Sequence, residues 1–221
     1  MEYIRSRSQI DEYFQNYNFQ DYFGFDIRPY TSLIRFEADD IILQEGEPPS
    51  HLYYLLKGHA KLFITHKNGA VSLINFLKAP CFIGEMELLD QNRQANGVVA
   101  LDICLCFSID IMACREKLLN DVTFLRNLCH ILSDKALSDV SNYSKNQSYP
   151  LKVRLASFIL MTEHNGIYRE RHTEAAGFLG VTYRHLLYVL AEFVKEGLLE
   201  KSTYGYRIVQ RDTLESLAEQ Q

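Results

Sequence analysis

The apolar residues of this chain keep two different rhythms, and the change from one to the other limits the folds open to it. Between residues 32 and 108 they fall in short runs, at 33–36, 41–44, 52–56, 60–65, 71–77, 98–101 and 103–107, separated by turn-forming residues. Such runs are the pattern of a small all-β sandwich or barrel. Asn68-Gly69 lies between Leu62-x-Ile64 and Val71-x-Leu73. Both residues tolerate the positive φ of a type I′ turn, so a hairpin with that turn is expected there. Residues 1–25, rich in Tyr and Phe, are expected to form one or two short amphipathic helices docked on this body.

From Val122 the period becomes helical. Val122, Leu125, Cys129, Leu132, Ala136, Val140 and Tyr143 recur every three or four residues, a heptad-like stripe. Phe124, Leu128 and Ile131 make a second stripe beside it. A helix over 122–147 would be ~39 Å long at ~1.5 Å per residue. One face suits its own β domain; the other is open to a copy of itself or to packing within the same monomer. The stretch Asn146-Gln147-Ser148-Tyr149-Pro150 interrupts the pattern, because Pro150 disfavours helix at Tyr149 while suiting the first turn of a new one. A hinge is expected there. Beyond it the sequence predicts a helix over 151–163, a turn at Asn165-Gly166, two short helices and a hairpin.

A chain of 221 residues has room for two domains of ~100–150 residues each. Its 47% hydrophobic and 23% charged content excludes a disordered chain. No apolar run approaches the ~20 residues of a membrane span, and the first residues lack the apolar core of a secretory signal. A cytoplasmic protein with no membrane partner is expected. Cys81, Cys104, Cys106, Cys114 and Cys129 include no C-x-x-C pair, so reduced thiols are the default. Residues 150–221 carry nine basic and nine acidic side chains, which leaves the whole net charge of −5 on the first 149 residues. That balance excludes a protein coated in nucleic acid but allows a small contact patch.

The residues most informative about function run from Thr173 to Lys195. Ala176 and Leu179 take inward positions on a first helix, Gly180 permits a left-handed turn, and Val181 plugs the angle between two helices. Thr182 is placed to cap the second helix. Leu186, Val189, Leu190 and Phe193 then fall on one face, and Tyr183, Arg184, His185 and Tyr188 on the other. A first turn with an arginine, a histidine and hydroxyl donors, and no acid before Glu192, suits a DNA major groove flanked by phosphates. Gly197 ends that helix, and residues 201–209 read as two short strands about Tyr204-Gly205. They would form a wing with Lys201 and Arg207 in reach of phosphates. The expected duplex-DNA contacts are thus Thr182, Tyr183, Arg184, His185, Tyr188, Lys201 and Arg207.

This order of β domain, long helix, hinge and winged helix-turn-helix resembles the CRP/FNR superfamily, that of the cyclic-AMP receptor protein and the fumarate–nitrate regulator. The resemblance rests on Glu45-Gly46 followed by Leu52-Tyr53-Tyr54-Leu55-x-x-Gly58, on Phe82-Ile83-Gly84-Glu85, and on Arg154-Leu155-Ala156. The stretches from Ala79 to Glu85 and from Thr182 to Leu190 are similar, more narrowly, to the YeiL subgroup. The resemblance implies an α+β chain in three parts. A double-stranded β-helix (jelly-roll-like) sensor domain would occupy residues 1–121. A dimerisation helix and hinge would follow at 122–149, and a winged helix-turn-helix at 150–221. It implies a homodimer on a palindromic operator, RNA polymerase as a partner if the protein activates, and an unidentified small-molecule or redox effector; no cofactor is specified.

The family's phosphate cassette holds a cyclic nucleotide through Gly-Glu and, ten residues after that Glu, an Arg-Ser or Arg-Thr pair. Here Gly84 and Glu85 are kept, Ala95 and Asn96 stand where the pair should be, and Arg93 comes two places early. A buried cyclic phosphodiester would lack the bidentate contact that offsets its desolvation. Gly84, Glu85 and Asn96 remain the effector-binding candidates, with cyclic AMP not the expected effector. Oxygen-sensing relatives hold an iron–sulfur cluster on a cysteine group near the N-terminus, whereas no cysteine here precedes Cys81. Cys104 and Cys106, at i and i+2, could join Cys81 or Cys129 in a redox site or serve as small core residues. An enzyme is not expected. His51, His59 and His66 lack the His-x-His spacing of a metal-dependent oxygenase, and no nucleophile or phosphate-cradling glycine pattern occurs. A ligand-binding module without DNA contact is the remaining alternative, against which the basic face around Arg184 counts.

Overall fold

A computed structural model describes residues 1–90 and 92–220; the side chains of Asn142, Tyr143, Lys145 and Asn146 lie outside the description, and with them the last member of the heptad-like stripe. The chain divides into two compact units, Met1–Ala70 with Ile74–Asp134, and Val71–Leu73 with Lys135–Gln221. Along the chain run β1 (Glu2–Ile4), α1 (Arg7–Asn16), 3-10 turns at Phe19–Tyr22 and Arg28–Tyr30, β2 (Thr31–Phe36), β3 (Ile41–Leu43), β4 (His51–Lys57) and β5 (His59–Thr65). Next come β6 (Val71–Lys78), β7 (Cys81–Ile83), α2 (Glu85–Leu89), β8 (Gly97–Ala100), β9 (Cys104–Asp110), α3 (Ile111–Asn120) and α4 (Val122–Ser148).

These strands form two sheets, ordered β1-β2-β9-β4-β7 and β3-β8-β5-β6, and cross-strand register explains how one sheet serves two cores. Leu33, Phe107, Tyr54 and Phe82 are aligned in one row across β2, β9, β4 and β7. Ile34, Cys106, Leu55 and Cys81 form the next row, and side chains in adjacent rows point to opposite faces. The first row belongs to a core with Phe14, Phe19, Phe23, Phe124 and Leu128. The second packs with Ile42, Leu43, Ala60, Val98 and Ala100 of the other sheet. The aromatic N-terminal segment is therefore structural: Phe19 meets Phe107 at 4.6 Å between ring centroids, and Phe23 stacks on Phe124 at 5.3 Å. The expected helix there exists as α1. The strand β1 was not legible in its three residues.

The expected hairpin at Asn68-Gly69 is present, but its turn is not type I′. Of the two residues only Gly69 has positive φ, 79°. The His66 N–H donates to Ala70 O and the Gly69 N–H to His66 O, both at 2.8 Å. Three residues thus fill the loop, a type I turn closed by a left-handed glycine. The type I′ geometry occurs instead at Asn165 and Gly166, with φ of 52° and 77°. There His164 and Ile167 exchange both backbone bonds at 3.0 Å and leave only two residues between them.

In α4 the second stripe faces the core, and the first divides between core and solvent. Phe124 and Leu128 are buried, and Leu125, Ile131 and Leu132 pack partly against the same core. Val122, Cys129, Ala136 and Val140 are exposed. The helix runs on through Ser148, so the expected interruption at Asn146 is corrected: only Tyr149 and Pro150 separate it from α5 (Leu151–Thr162). The second unit continues with β10 (Ile167–Tyr168), α6 (His172–Phe178), α7 (Tyr183–Lys195), β11 (Leu199–Ser202), β12 (Gly205–Ile208) and α8 (Arg211–Ala218). Its three strands are ordered β10-β12-β11, and Leu155, Phe158, Tyr168, Leu186, Leu190, Phe193 and Leu214 are buried. Among the described residues no helix is long and apolar enough to cross a membrane.

Candidate nucleic-acid interface

Two glycine-closed helix ends shape the candidate surface. After α6, Gly180 takes φ of 63°. Its N–H donates to Gly177 O at 3.1 Å while that of Val181 donates to Ala176 O at 2.9 Å. After α7, Gly197 takes φ of 76°, with Gly197 N–H on Val194 O at 3.1 Å and Leu198 N–H on Phe193 O at 2.9 Å. Each pair is a Schellman closure, which needs a residue at ease in the left-handed region. Between them Thr182 caps α7, its Oγ1 accepting the His185 N–H at 3.2 Å.

The faces of α7 divide as the spacing predicts. Leu186, Val189, Leu190 and Phe193 are buried, while Arg184 and His185 are exposed and Tyr183 and Tyr188 are 49% and 63% exposed. No acid lies in the first turn. The outer surface therefore offers a guanidinium, an imidazole and two phenols. All are hydrogen-bond donors that fit phosphates and base acceptors.

The wing differs from its expected turn, and its register adds a second point. Ser202 pairs with Gly205, so its two-residue loop is Thr203-Tyr204, and Gly205 belongs to β12. Gly205 has no alternative there, since a Cβ would stand 2.2 Å from Tyr168 O. Secondly, Lys201 lies opposite Tyr206, whereas Arg207 lies opposite Glu200 and is ion-paired with it. Successive residues alternate faces, so the two wing cations point to opposite sides. Tyr206 lies 5.7 Å from the His172 ring, and His172 lies 6.5 Å from Tyr183. The Lys201 side of the wing is thus continuous with the start of α7. Burial in this cluster lowers the His172 pKa and raises that of Tyr206. Neither residue was read from the sequence. Counting back from Lys201 along the hairpin would have found Tyr206, while His172 needs the tertiary contact.

In the first unit, Gly84 precedes α2 with φ of 92°, Glu85 opens that helix only 5% exposed, and Asn96 is half-buried just before β8. Ala95, where the cassette arginine is expected, is 2% exposed in the apolar core with Val98 and Ile42. Its carbonyl accepts the Gly46 N–H at 2.8 Å. Arg93 is exposed.

The thiols divide by burial. Desolvation pushes the Cys104 pKa up to about 12, that of Cys114 up to about 11, and that of Cys106 well above the usual thiol range. Cys81 and Cys106 are both aligned with Leu55, two strand spacings or ~9.6 Å apart and beyond disulfide reach. Of the three histidines, His51 Nδ1 lies 2.8 Å from Ser50 Oγ, and His59 Nδ1 lies 2.7 Å from the Asp102 carboxylate. His66 belongs to the hairpin turn. Among the described residues no three His, Cys, Asp or Glu side chains are grouped as metal ligands.

A β sandwich followed by a winged helix-turn-helix defines a class, the DNA-binding regulators that join a sensor domain to a reading head. The comparisons with known proteins agree. The model of the cyclic nucleotide-binding domain family matches residues 33–121, and that of the Crp-like helix-turn-helix domain matches residues 153–217. The regulatory protein YeiL of Escherichia coli O157:H7 is 49% identical over 200 residues, covering 90% of this chain and 91% of that one. A solved CRP/FNR-family regulator from Eubacterium rectale shares the fold with a TM-score of 0.74 at 16% identity, over 94% of this chain and 99% of that one. One from Thermus thermophilus gives 0.66 at 21% identity, over 85% and 98%. The chain belongs to the CRP/FNR family of DNA-binding transcription regulators, on its YeiL-like branch.

Proposed function

We propose that the protein binds a palindromic operator as a homodimer and is controlled by an effector other than cyclic AMP, sensed by the β domain of residues 1–121. Residues 150–221 read DNA, and the helix and hinge of 122–149 join two copies. The observation that carries this reading is the outer face of α7, whose donors Tyr183, Arg184, His185 and Tyr188 are exposed beside the Thr182 cap. The Lys201 side of the wing continues that surface; Arg207 contributes less because Glu200 neutralises it. The homodimer is supported by the exposed stripe Val122, Cys129, Ala136 and Val140, since two-fold half-sites stand one DNA turn, ~34–36 Å, apart and need two reading heads. The effector is held near Gly84, Glu85 and Asn96. Against cyclic AMP stands Ala95, an apolar core position with no guanidinium to meet a phosphate.

Selection of DNA sites from a random pool tests the reading. Two-fold symmetric sites with half-sites one turn apart are expected, and recovery of no preferred sequence sinks it. Millimolar cyclic AMP should leave the melting temperature unchanged, whereas a ligand at a hundred times its Kd would add ~2.7 kcal/mol. A saturable shift overturns the exclusion.

A further inference from the structure

The last carbonyls of an α-helix have no partner within it and must find one elsewhere. At the end of α6 the carbonyls of Ala175, Ala176 and Gly177 are taken by the N–H groups of Leu179, Val181 and Gly180. The carbonyl of Leu179, the residue just before the Gly180 turn, is taken by the Arg154 guanidinium through Nη1. The same guanidinium uses Nε to hold the carbonyl of Tyr149 at 2.9 Å. Tyr149 and Pro150 are the two residues that separate α4 from α5. One planar fork on α5 therefore ties the interhelical joint to the turn that aims α7, with only Gly180 and Val181 between the clamped residue and the Thr182 cap.

We propose that Arg154 is a positioning residue that sets the angle of α7 from the conformation of the Tyr149-Pro150 joint, so that movement at the joint is transmitted to the reading head. This rests on α7 being the element that reads DNA. The guanidinium suits the task because its donors leave a rigid plane in fixed directions, whereas a lysine ammonium is a point charge on a flexible stem whose rotatable donors fix no angle between two carbonyls. A carbonyl at a helix C-terminus also attracts a cation through the helix dipole. If the Tyr149 carbonyl turns away, the fork cannot keep both partners, and the Leu179 carbonyl is released or dragged along. Gly180, in the left-handed region, is the pivot.

The test compares full-length wild type, Arg154→Met, Arg154→Lys, Pro150→Ala and the double variant Pro150→Ala/Arg154→Met. Each is titrated with the selected operator and with a random duplex, and its melting is recorded. Arg154→Met should lose about tenfold on the operator, the scale of one misaligned base contact, while its random-DNA affinity stays within about twofold. Arg154→Lys should fall between it and wild type. Pro150→Ala and Arg154→Met should couple, the double variant departing about threefold or more from the product of the single effects. Unchanged operator affinity or strictly multiplicative effects would overturn the proposal. So would equal loss on both duplexes with a flatter salt dependence, which would make Arg154 a phosphate contact. Should Arg154→Met fail to melt cooperatively, Arg154→Lys carries the operator-against-random comparison alone. A wild type that shows no preference for the operator defeats the reading of α7 and the proposal with it. A wild type with preference beside variants that keep it defeats the proposal only.

Discussion

The helices α4 and α7 are built alike on one side and oppositely on the other. Each buries an apolar stripe within its own unit, Phe124 and Leu128 on α4, Leu186, Leu190 and Phe193 on α7. On the outer side α7 offers Tyr183, Arg184, His185 and Tyr188, while α4 offers Val122, Cys129, Ala136 and Val140. A polar, cationic outer face is stable in water and gains from meeting phosphates. An apolar one gains only from meeting protein, at about 1.5–3 kcal/mol for each large side chain it buries. Under the proposed function, DNA would meet the first kind of face and a copy of the chain the second.

The largest effect should come from spoiling the outer face of α4. Leu132 also touches its own β core, so Ala136→Asp with Val140→Asp is the cleaner disruption, placing like charges across a two-fold seam without opening the monomer. The double variant should sediment as a monomer, keep its circular dichroism, and lose about a thousandfold or more on the operator, falling to the level of non-specific binding. A dimer that survives both aspartates would mean that this stripe is not the seam.

On α7 the matching change is Arg184→Ala, which should cost ~1–3 kcal/mol on the operator and relax preference at one base pair per half-site. Gel shifts on operator and random DNA decide it: equal losses on both would remove Arg184 from base reading.

A smaller effect should separate the two cations of the wing. Lys201→Ala should weaken all DNA and lower the salt slope by about 0.9, the value of one phosphate contact. Arg207→Ala should do less, because its guanidinium faces the other side and is already held by Glu200. Affinity measured across a salt series checks this, and equal slopes for the two variants would contradict the assignment by faces.

The sequence carried the two outer faces and most of the elements that display them, because burial period is a local property of side-chain order. The seven apolar runs match strands, and Thr182, Gly180 and Gly197 perform the cap and closures that their chemistry suggests. What it did not carry depends on pairing. Asn68-Gly69 and Asn165-Gly166 are the same dipeptide, yet one adopts a three-residue loop and the other a two-residue type I′ turn, because the flanking strands align at different residues. That Arg207 has Glu200 opposite it is likewise set by register. Ala95 reads as a lost arginine in the sequence; the fold adds that its position lies in an apolar core, where a guanidinium would need a partner.

The smallest effect concerns the thiols, and it bears on whether the outer face of α4 has a redox partner in the β domain. A thiol reacts as its thiolate, and burial holds Cys104, Cys106 and Cys114 protonated, with pKa values raised above the ordinary range. For a raised pKa the folded state keeps its proton where the unfolded state has lost it. The stabilisation is therefore complete below the unfolded thiol pKa, ~8.5, and fades as pH climbs toward about 12 for Cys104. At pH 8, iodoacetamide should modify Cys129 first, exposed on α4, and Cys81 more slowly. Cys104, Cys106 and Cys114 should react only after unfolding, as mass spectrometry of the alkylated chain would record. Mild copper-catalysed oxidation should likewise join two chains through Cys129 alone, since the proposed seam would bring it to its two-fold mate. Cys129→Ser should abolish the cross-link while changing operator affinity by less than about twofold, as expected of a conservative change outside the reading face. Rapid labelling of Cys104 or Cys106 in the folded protein, or loss of DNA binding on oxidation of the Cys129→Ser variant, would restore a redox site in the β domain and make the two helices respond to the same signal.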